Sequence, residues 1–270
     1  MKKNRAFLKW AGGKYLLMED IRRYLPAGDC LIEPFVGAAS VFLNTDYERY
    51  ILADINRDLI NLFNILKSHP NNFIRETREL FAVDANISEV YYLLRNEFNF
   101  CTDAHRRAVL FLYLNRHCYN GLCRYNLNGK FNVPFGRYKK PYFPERELYR
   151  FAEKARQAIF LCEHYQKTLS RAVLGSVVYC DPPYTPLSAT ANFTAYYANN
   201  FNITEQENLA RLANQLARES RIPVLISNHD TALTRKWYDN AVLYHVTVRR
   251  TISSNIFRRH SVNELLALYL

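Results

Sequence analysis

A strongly apolar run, Val177-Val178-Tyr179-Cys180, stops at Asp181-Pro182-Pro183-Tyr184. The tetrapeptide gathers a carboxylate, a proline carbonyl and an aromatic face into one turn. Two prolines stiffen it, because each fixes its own φ and pushes the residue before it out of the helical region. These groups suit a reaction on a flat molecule bearing an amine. Asp181 can accept one amine hydrogen, the carbonyl of Pro182 can accept the other, and the ring of Tyr184 can stack on the plane. A buried strand also ends in Asp-Pro where no chemistry follows, so companion motifs must decide.

The first companion is Glu33-Pro34-Phe35-Val36-Gly37-Ala38-Ala39-Ser40, directly after an apolar run. A turn of small residues between strand and helix lets backbone amides approach a ligand at the open end of a parallel strand. Seventeen positions beyond Gly37, Asp54 closes the next apolar run. A carboxylate placed there can accept hydrogen bonds from both hydroxyls of a ribose; alternatively Asp54 or Asn56 caps the helical run that follows. The third companion is Phe7-Leu8-Lys9-Trp10-Ala11-Gly12-Gly13-Lys14, in which Trp10 offers an aromatic surface and Lys14 a charge on either side of a Gly-Gly turn. Its spacing is too short for a P-loop, and Tyr15 stands where that loop needs Ser or Thr, which disfavours an NTPase.

Short β-rich runs, Cys30 to Phe35, Tyr50 to Ile55, Ile159 to Leu161, Ser176 to Cys180, Val224 to Ser227 and Val242 to Val248, alternate with helical periodicity. That alternation predicts an α/β fold with a doubly wound parallel sheet. From Asn56 to Phe143 the rhythm breaks. Leu59, Leu62, Phe63 and Leu66, then Val90, Leu93, Leu94 and Phe98, recur at helical spacing. Asn128-Gly129 then sits between alternating residues, a strong hairpin signal. The expected division is a catalytic domain over 1–55 and 145–270, interrupted by an inserted helical and hairpin domain over 56–144.

The chain has 270 residues, 49% of them hydrophobic and 23% charged, and a formal charge of +11. These proportions exclude disordered and fibrous classes, and the charge predicts a polyanionic partner. The longest apolar stretch, Ala108 to Leu114, is too short to span a bilayer. The basic N-terminus lacks the apolar region of a signal peptide, so a cytoplasmic protein without membrane association is expected. Six cysteines stand singly and read as reduced thiols, with no metal expected. Between Arg116 and Arg146, Arg124, Lys130, Arg137, Lys139 and Lys140 interleave with Tyr119, Tyr125, Phe131, Phe135, Tyr138, Tyr142 and Phe143. Cations mixed with aromatics suit a nucleic-acid surface.

Taken in order, Lys-Trp-Ala-Gly-Gly-Lys, Glu-Pro-Phe-Val-Gly, the interrupting block and Asp-Pro-Pro-Tyr resemble the Dam family of S-adenosylmethionine-dependent DNA adenine-N6 methyltransferases, from Phe7 to about Ser254. The resemblance implies the family's methyltransferase fold, S-adenosylmethionine as cofactor and double-stranded DNA as partner, with GATC as target and base flipping. Trp10, Lys14, Phe35, Gly37, Asp54 and Asp181 would then bind the cofactor. Asp181, Pro182 and Tyr184 would be catalytic. Lys9, Leu122, Arg124 and Pro134 would read the sequence, Tyr119 and Asn120 would wedge into the duplex, and Arg95, Asn126, Asn132 and Arg137 would meet phosphates. Arginine can pair bidentately with guanine, and apolar side chains suit the thymine methyl.

Two departures from the family pattern stand out. Ala39 occupies a position usually held by glycine, which would strain the backbone if positive φ is required there. Ser253 to His260, with Ile256 and Phe257, also departs and has no assigned role. N4-cytosine methylation, RNA or protein-glutamine methylation, and a DNA-binding protein with impaired catalysis are the competing readings. A housekeeping role in mismatch repair and DNA replication, or one in a restriction system, is equally open, whether in a bacterial nucleoid or encoded by a phage.

Overall fold

The computed structural model describes residues 3–184, 201–249 and 261–270. The chain divides into two compact units: Met1–Tyr15, Val36–Asn44 and Asp54–Cys162 form the first, and Leu16–Phe35, Thr45–Ala53 and Glu163–Leu270 the second.

The second unit is built on strands β1 (Cys30–Glu33), β2 (Arg49–Asp54), β4 (Ser176–Cys180), β5 (Val224–His229), β6 (Val242–Arg249) and β7 (Ser261–Tyr269). Their order is β2-β1-β4-β5-β7-β6; the remaining strand, β3 (Ala158–Cys162), is assigned to the first unit. β1 pairs in parallel with β2 and β4, with Ile32 opposite Ile51 and Val178, and β4 pairs in parallel with β5. Every residue of β4 and β5 is buried, which is why these segments read as near-continuous apolar runs without alternation. β1 stops at Glu33, two residues before the expected end, where Pro34 brings no amide to the ladder.

β7 is a correction to the sequence reading, which placed no strand after Val248. It runs antiparallel between β5 and β6, so the sheet is mixed. Leu265, Leu266, Ala267 and Leu268 are all buried, and a short unbroken apolar run does not by periodicity separate strand from helix.

Helices α1 (Met18–Tyr24), α7 (Tyr165–Leu169), α8 (Ile203–Ser220) and α9 (Ala232–Trp237) complete this unit. The side chain of Asn202 caps α8, and Gln206, Leu209, Ala210, Ala213 and Ala217 are its buried residues. They recur at three- and four-residue spacing, one stripe of the helix, and the four apolar ones join Ile32, Val178, Ile226, Tyr238 and Leu265 in the core.

The first unit centres on α5 (Ala104–His117), buried continuously from Ala108 to His117 and contacted by α2 (Arg57–Ser68), α3 (Pro70–Glu79) and α4 (Ser88–Phe100). A helix apolar on most sides needs such enclosure. Packing also comes from the rings of Phe7, Phe63, Phe151 and Phe160, with Phe151 supplied by α6 (Glu145–Lys154). The Arg107–Asp58 ion pair joins α5 to α2 at 2.5 Å.

The expected hairpin is present but minimal. Its two arms meet at isolated antiparallel bridges, Cys118 with Phe135 and Tyr125 with Phe131. The turn is held by Asn126, whose side-chain oxygen accepts from the amides of Asn128 and Lys130. Side-chain hydrogen bonds to the helices supplement the few backbone bonds between the arms. Asn99 accepts from the Phe131 amide and donates to its carbonyl at 2.7 and 3.1 Å, Tyr91 donates to the Val133 carbonyl, and Tyr125 donates to Asp58. Among the described residues no helix is long and apolar enough to cross a membrane.

Candidate active site and nucleic-acid interface

In the second unit, β4 delivers Asp181 at its carboxyl end. The hydroxyl of Ser227, from the adjacent β5, donates to Asp181 Oδ1 at 3.1 Å and lies 2.9 Å from the hydroxyl of Tyr179. Ser227 is fully buried. A serine carries one hydrogen, so donation to Asp181 leaves it to accept from Tyr179. Burial and the charge of Asp181 both push the Tyr179 phenol well above its ordinary value, so it stays protonated as that donor.

The rest of the corner is equally fixed. Pro182 is buried, Asp181 and Tyr184 are half-buried, and Gln206 donates to the carbonyl of Pro183 at 2.7 Å. Gln206 in turn accepts from Asn228, which also donates to Tyr238. The Tyr184 hydroxyl donates to Glu264 at 2.7 Å, and its ring meets His229 edge-on with centroids 4.7 Å apart. Phe35, past the end of β1, packs its ring on Tyr165 and Phe201.

In the first unit, Gly37 has φ +45, and a Cβ built on it would come within 3.0 Å of the Trp10 indole nitrogen. The positive φ favours glycine there, and a Cβ would crowd the indole. Its amide donates to Asp54 Oδ2 at 3.1 Å, while the Asn56 amide donates to Oδ1 at 2.9 Å. Asn56, not Asp54, caps α2, its side chain accepting from the amides of Asp58 and Leu59. Burial raises the pKa of Asp54, while backbone donors at Asn56, Gly37 and Ile55 oppose that shift. Ala39, buried behind this turn, does take a positive φ of 60. Lys14 is buried and donates to the Gly12 carbonyl at 2.7 Å.

The same unit carries all ten residues expected to meet DNA. Asn115 clamps Lys9 by accepting from its amide and donating to its carbonyl, at 2.9 and 2.7 Å. The Lys9 ammonium lies 3.7 Å from the Tyr138 ring centre; burial and Arg116 lower its pKa. Arg124 donates through Nε to Asn132 Oδ1 and through Nη2 to the Asn132 carbonyl, and Arg95 donates to the Val133 carbonyl. Tyr119 is 48% exposed, and Asn120 and Arg137 both hold positive φ. Pro134 is exposed and its carbonyl accepts from the Tyr119 amide; Leu122 is half-buried. His117, beside the proposed wedge, is buried and has its pKa pushed down to about 4, and Cys118 has its own pushed up to about 12. Ile256 to His260 lie outside the described residues.

Sequence reasoning named neither Ser227, Glu264 nor His229. A signal existed: Val224-Leu225-Ile226 continues into Ser227-Asn228-His229, and Glu264 precedes an apolar run. Polar side chains buried at the end of apolar strands are costly unless partnered.

Comparison with known proteins gives consistent results. Residues 10–252 match the family described as D12 class N6 adenine-specific DNA methyltransferase. Over 269 residues the chain is 71% identical to a DNA adenine methylase of Serratia marcescens, covering all of both chains. It is 66% identical to the DNA adenine methylase of Escherichia coli K12, covering all of this chain and 96% of that one. Identity to the corresponding protein of Vibrio cholerae is 58%, with coverage of 100% and 97%.

Proposed function

From a chain that belongs to the D12 class of N6 adenine-specific DNA methyltransferases, we propose the specific reaction: methyl transfer from S-adenosylmethionine to N6 of adenine in double-stranded GATC, with the base swung out of the duplex. The observation that carries this reading is the Asp181 carboxylate held by Ser227 at the end of a buried strand, with the Tyr184 ring three residues on. A base inside the stack cannot be reached, and extruding it costs a few kcal/mol that stacking and hydrogen bonding in a pocket offset.

Phe35, Gly37, Trp10, Lys14, Asp54 and Asp181 would hold the cofactor. The donor set fits: a tight turn at Gly37 with positive φ, an indole beside it, and a carboxylate at a strand end able to accept from ribose hydroxyls. When bound, the cofactor supplies an electrophilic methyl group on a sulfonium. Asp181 and the Pro182 carbonyl accept the two hydrogens of the adenine amine, draw its lone pair out of conjugation with the ring and stabilise the positive charge that develops on nitrogen. No strong general base is needed, because the amine becomes acidic only after methylation.

Arg124, Lys9, Leu122 and Pro134 read the sequence, Tyr119 and Asn120 enter the gap, and Arg95, Asn126, Asn132 and Arg137 meet phosphates. In this reading 56–144 is a recognition insertion, 1–55 and 145–270 the catalytic domain, and the enzyme works in the cytoplasm. The test is incubation of purified protein and labelled cofactor with duplexes carrying GATC, its single-base variants and the fully methylated site. Label should enter the unmethylated GATC duplex alone; equal incorporation into a variant duplex would overturn the specificity.

A further inference from the structure

We propose that Glu264 of β7 is a positioning residue for the reaction: it holds the Tyr184 ring in the orientation in which the flipped base stacks on it. The inference rests on the reading of Tyr184 as the stacking face. It lies outside the matched family region, which ends at residue 252.

Glu264 is 7% exposed, and it immediately precedes Leu265, Leu266 and Ala267, each fully buried. An apolar residue would satisfy the core at lower cost, since a buried carboxyl group is heavily penalised without a partner. The partner it has is the Tyr184 hydroxyl, 2.7 Å away. Strand direction explains how it gets there. β7 is antiparallel to β5, so its beginning lies beside the carboxyl end of β5, with Glu264 opposite His229. β5 in turn lies beside β4, whose end supplies Asp181. A parallel strand at this position would have brought its last residues to that rim instead.

The Tyr184 side chain has two torsions, and contacts at both its hydroxyl and its ring restrain them. Glu264 fixes the hydroxyl end of Tyr184, and His229 meets the ring at 73° with centroids 4.7 Å apart. A ring fixed beforehand spares the ordering cost when the base arrives and keeps the amine in line with Asp181.

The test is a double-mutant cycle on full-length enzyme. Glu264→Met keeps the side-chain length and removes both acceptor oxygens, Tyr184→Phe removes the donor, and Glu264→Gln keeps an acceptor. Glu264→Met and Tyr184→Phe should each lower kcat by about tenfold to a hundredfold with KM for the duplex within about threefold, and the double variant should be no slower than either. Glu264→Gln should stay within about threefold of the parent. A parent-like kcat in Glu264→Met, multiplying losses in the double variant, or a Gln variant as slow as the Met variant would each overturn the inference. Should the Met variant fail to fold by circular dichroism, Glu264→Leu and its cycle with Tyr184→Phe take its place under the same criteria. Tyr184→Ala separates the two claims: full activity there removes the stacking role and this inference with it, whereas an inactive Tyr184→Ala beside a fully active Glu264→Met overturns the inference alone.

Discussion

The corner after β4 and the hairpin arms between Cys118 and Gly136 restrain their polar side chains in opposite ways. At the corner, Asp181 is held by a fully buried serine that leans on a buried tyrosine, and Gln206 and Asn228 continue the network inward. In the first unit the cations are half-buried: Arg124 of the hairpin rests on Asn132, Arg95 of α4 on the Val133 carbonyl, and Lys9 of the N-terminal segment over the Tyr138 ring. Buried bonds are expensive to break and fix geometry before substrate arrives. Half-buried single contacts of a cation are cheaper to break than a fully buried network, and can be exchanged for phosphates or base edges. Under the proposed function, the difference would have the sheet set the chemical step in advance and recognition completed by exchange of partners.

The sharpest way to break this contrast is Asp181→Ala. Turnover should fall by at least about a thousandfold while the Kd for duplex DNA changes less than about threefold; single-turnover kinetics with a binding titration measure both, and retention of a tenth of the activity would end the proposed role. Arg124→Ala tests the other half. It should lose about 1–3 kcal/mol of discrimination at one base pair, read by competition among single-base variants. Arg137→Ala should instead weaken binding to every sequence and reduce the salt slope by about 1. If Arg137→Ala altered sequence preference instead, the division into readers and phosphate contacts would fail.

His117 gives a pH test near the wedge. Its imidazole donates through Nδ1 to the Tyr113 carbonyl and stacks on the Tyr113 ring, and burial lowers its pKa from 6.5 to about 4. Because the folded value lies below the unfolded one, its contribution is complete above pH 6.5 and is lost as pH falls toward about 4. The loss should be on the order of 3 kcal/mol, and His117→Asn should flatten that limb of a denaturant-unfolding series. The smallest effect concerns Ala39, whose φ is 60. Ala39→Gly relieves left-handed strain but adds chain entropy to the unfolded state, for a net gain of roughly 0.5 kcal/mol. Thermal unfolding should detect it, and cofactor titration should show tighter binding.

Much of the candidate site was legible because its parts are local. Asp181 to Tyr184 are consecutive residues past the end of β4, and Gly37 and Asp54 lie just after β1 and at the end of β2, strands that the βα rhythm makes neighbours. The choice between Asp54 and Asn56 as helix cap was not legible, since either side chain has the right chemistry; only the coordinates assign the cap to Asn56. Ser227 and Glu264 escaped notice because their partners come from other strands, through registers that no spacing along the chain reveals. The hairpin was foreseen from Asn128-Gly129, yet its anchoring by Asn99 and Tyr91 was not, because those residues read as ordinary positions on a helix.

The strand order at one edge carries a consequence for biosynthesis. β6 leaves the ribosome before β7, yet it pairs with β7, while β7 alone bridges it to β5. A growing chain thus carries its hairpin and Tyr184 well before the rim that would hold that ring can exist, and β6 joins the sheet only once β7 has been made.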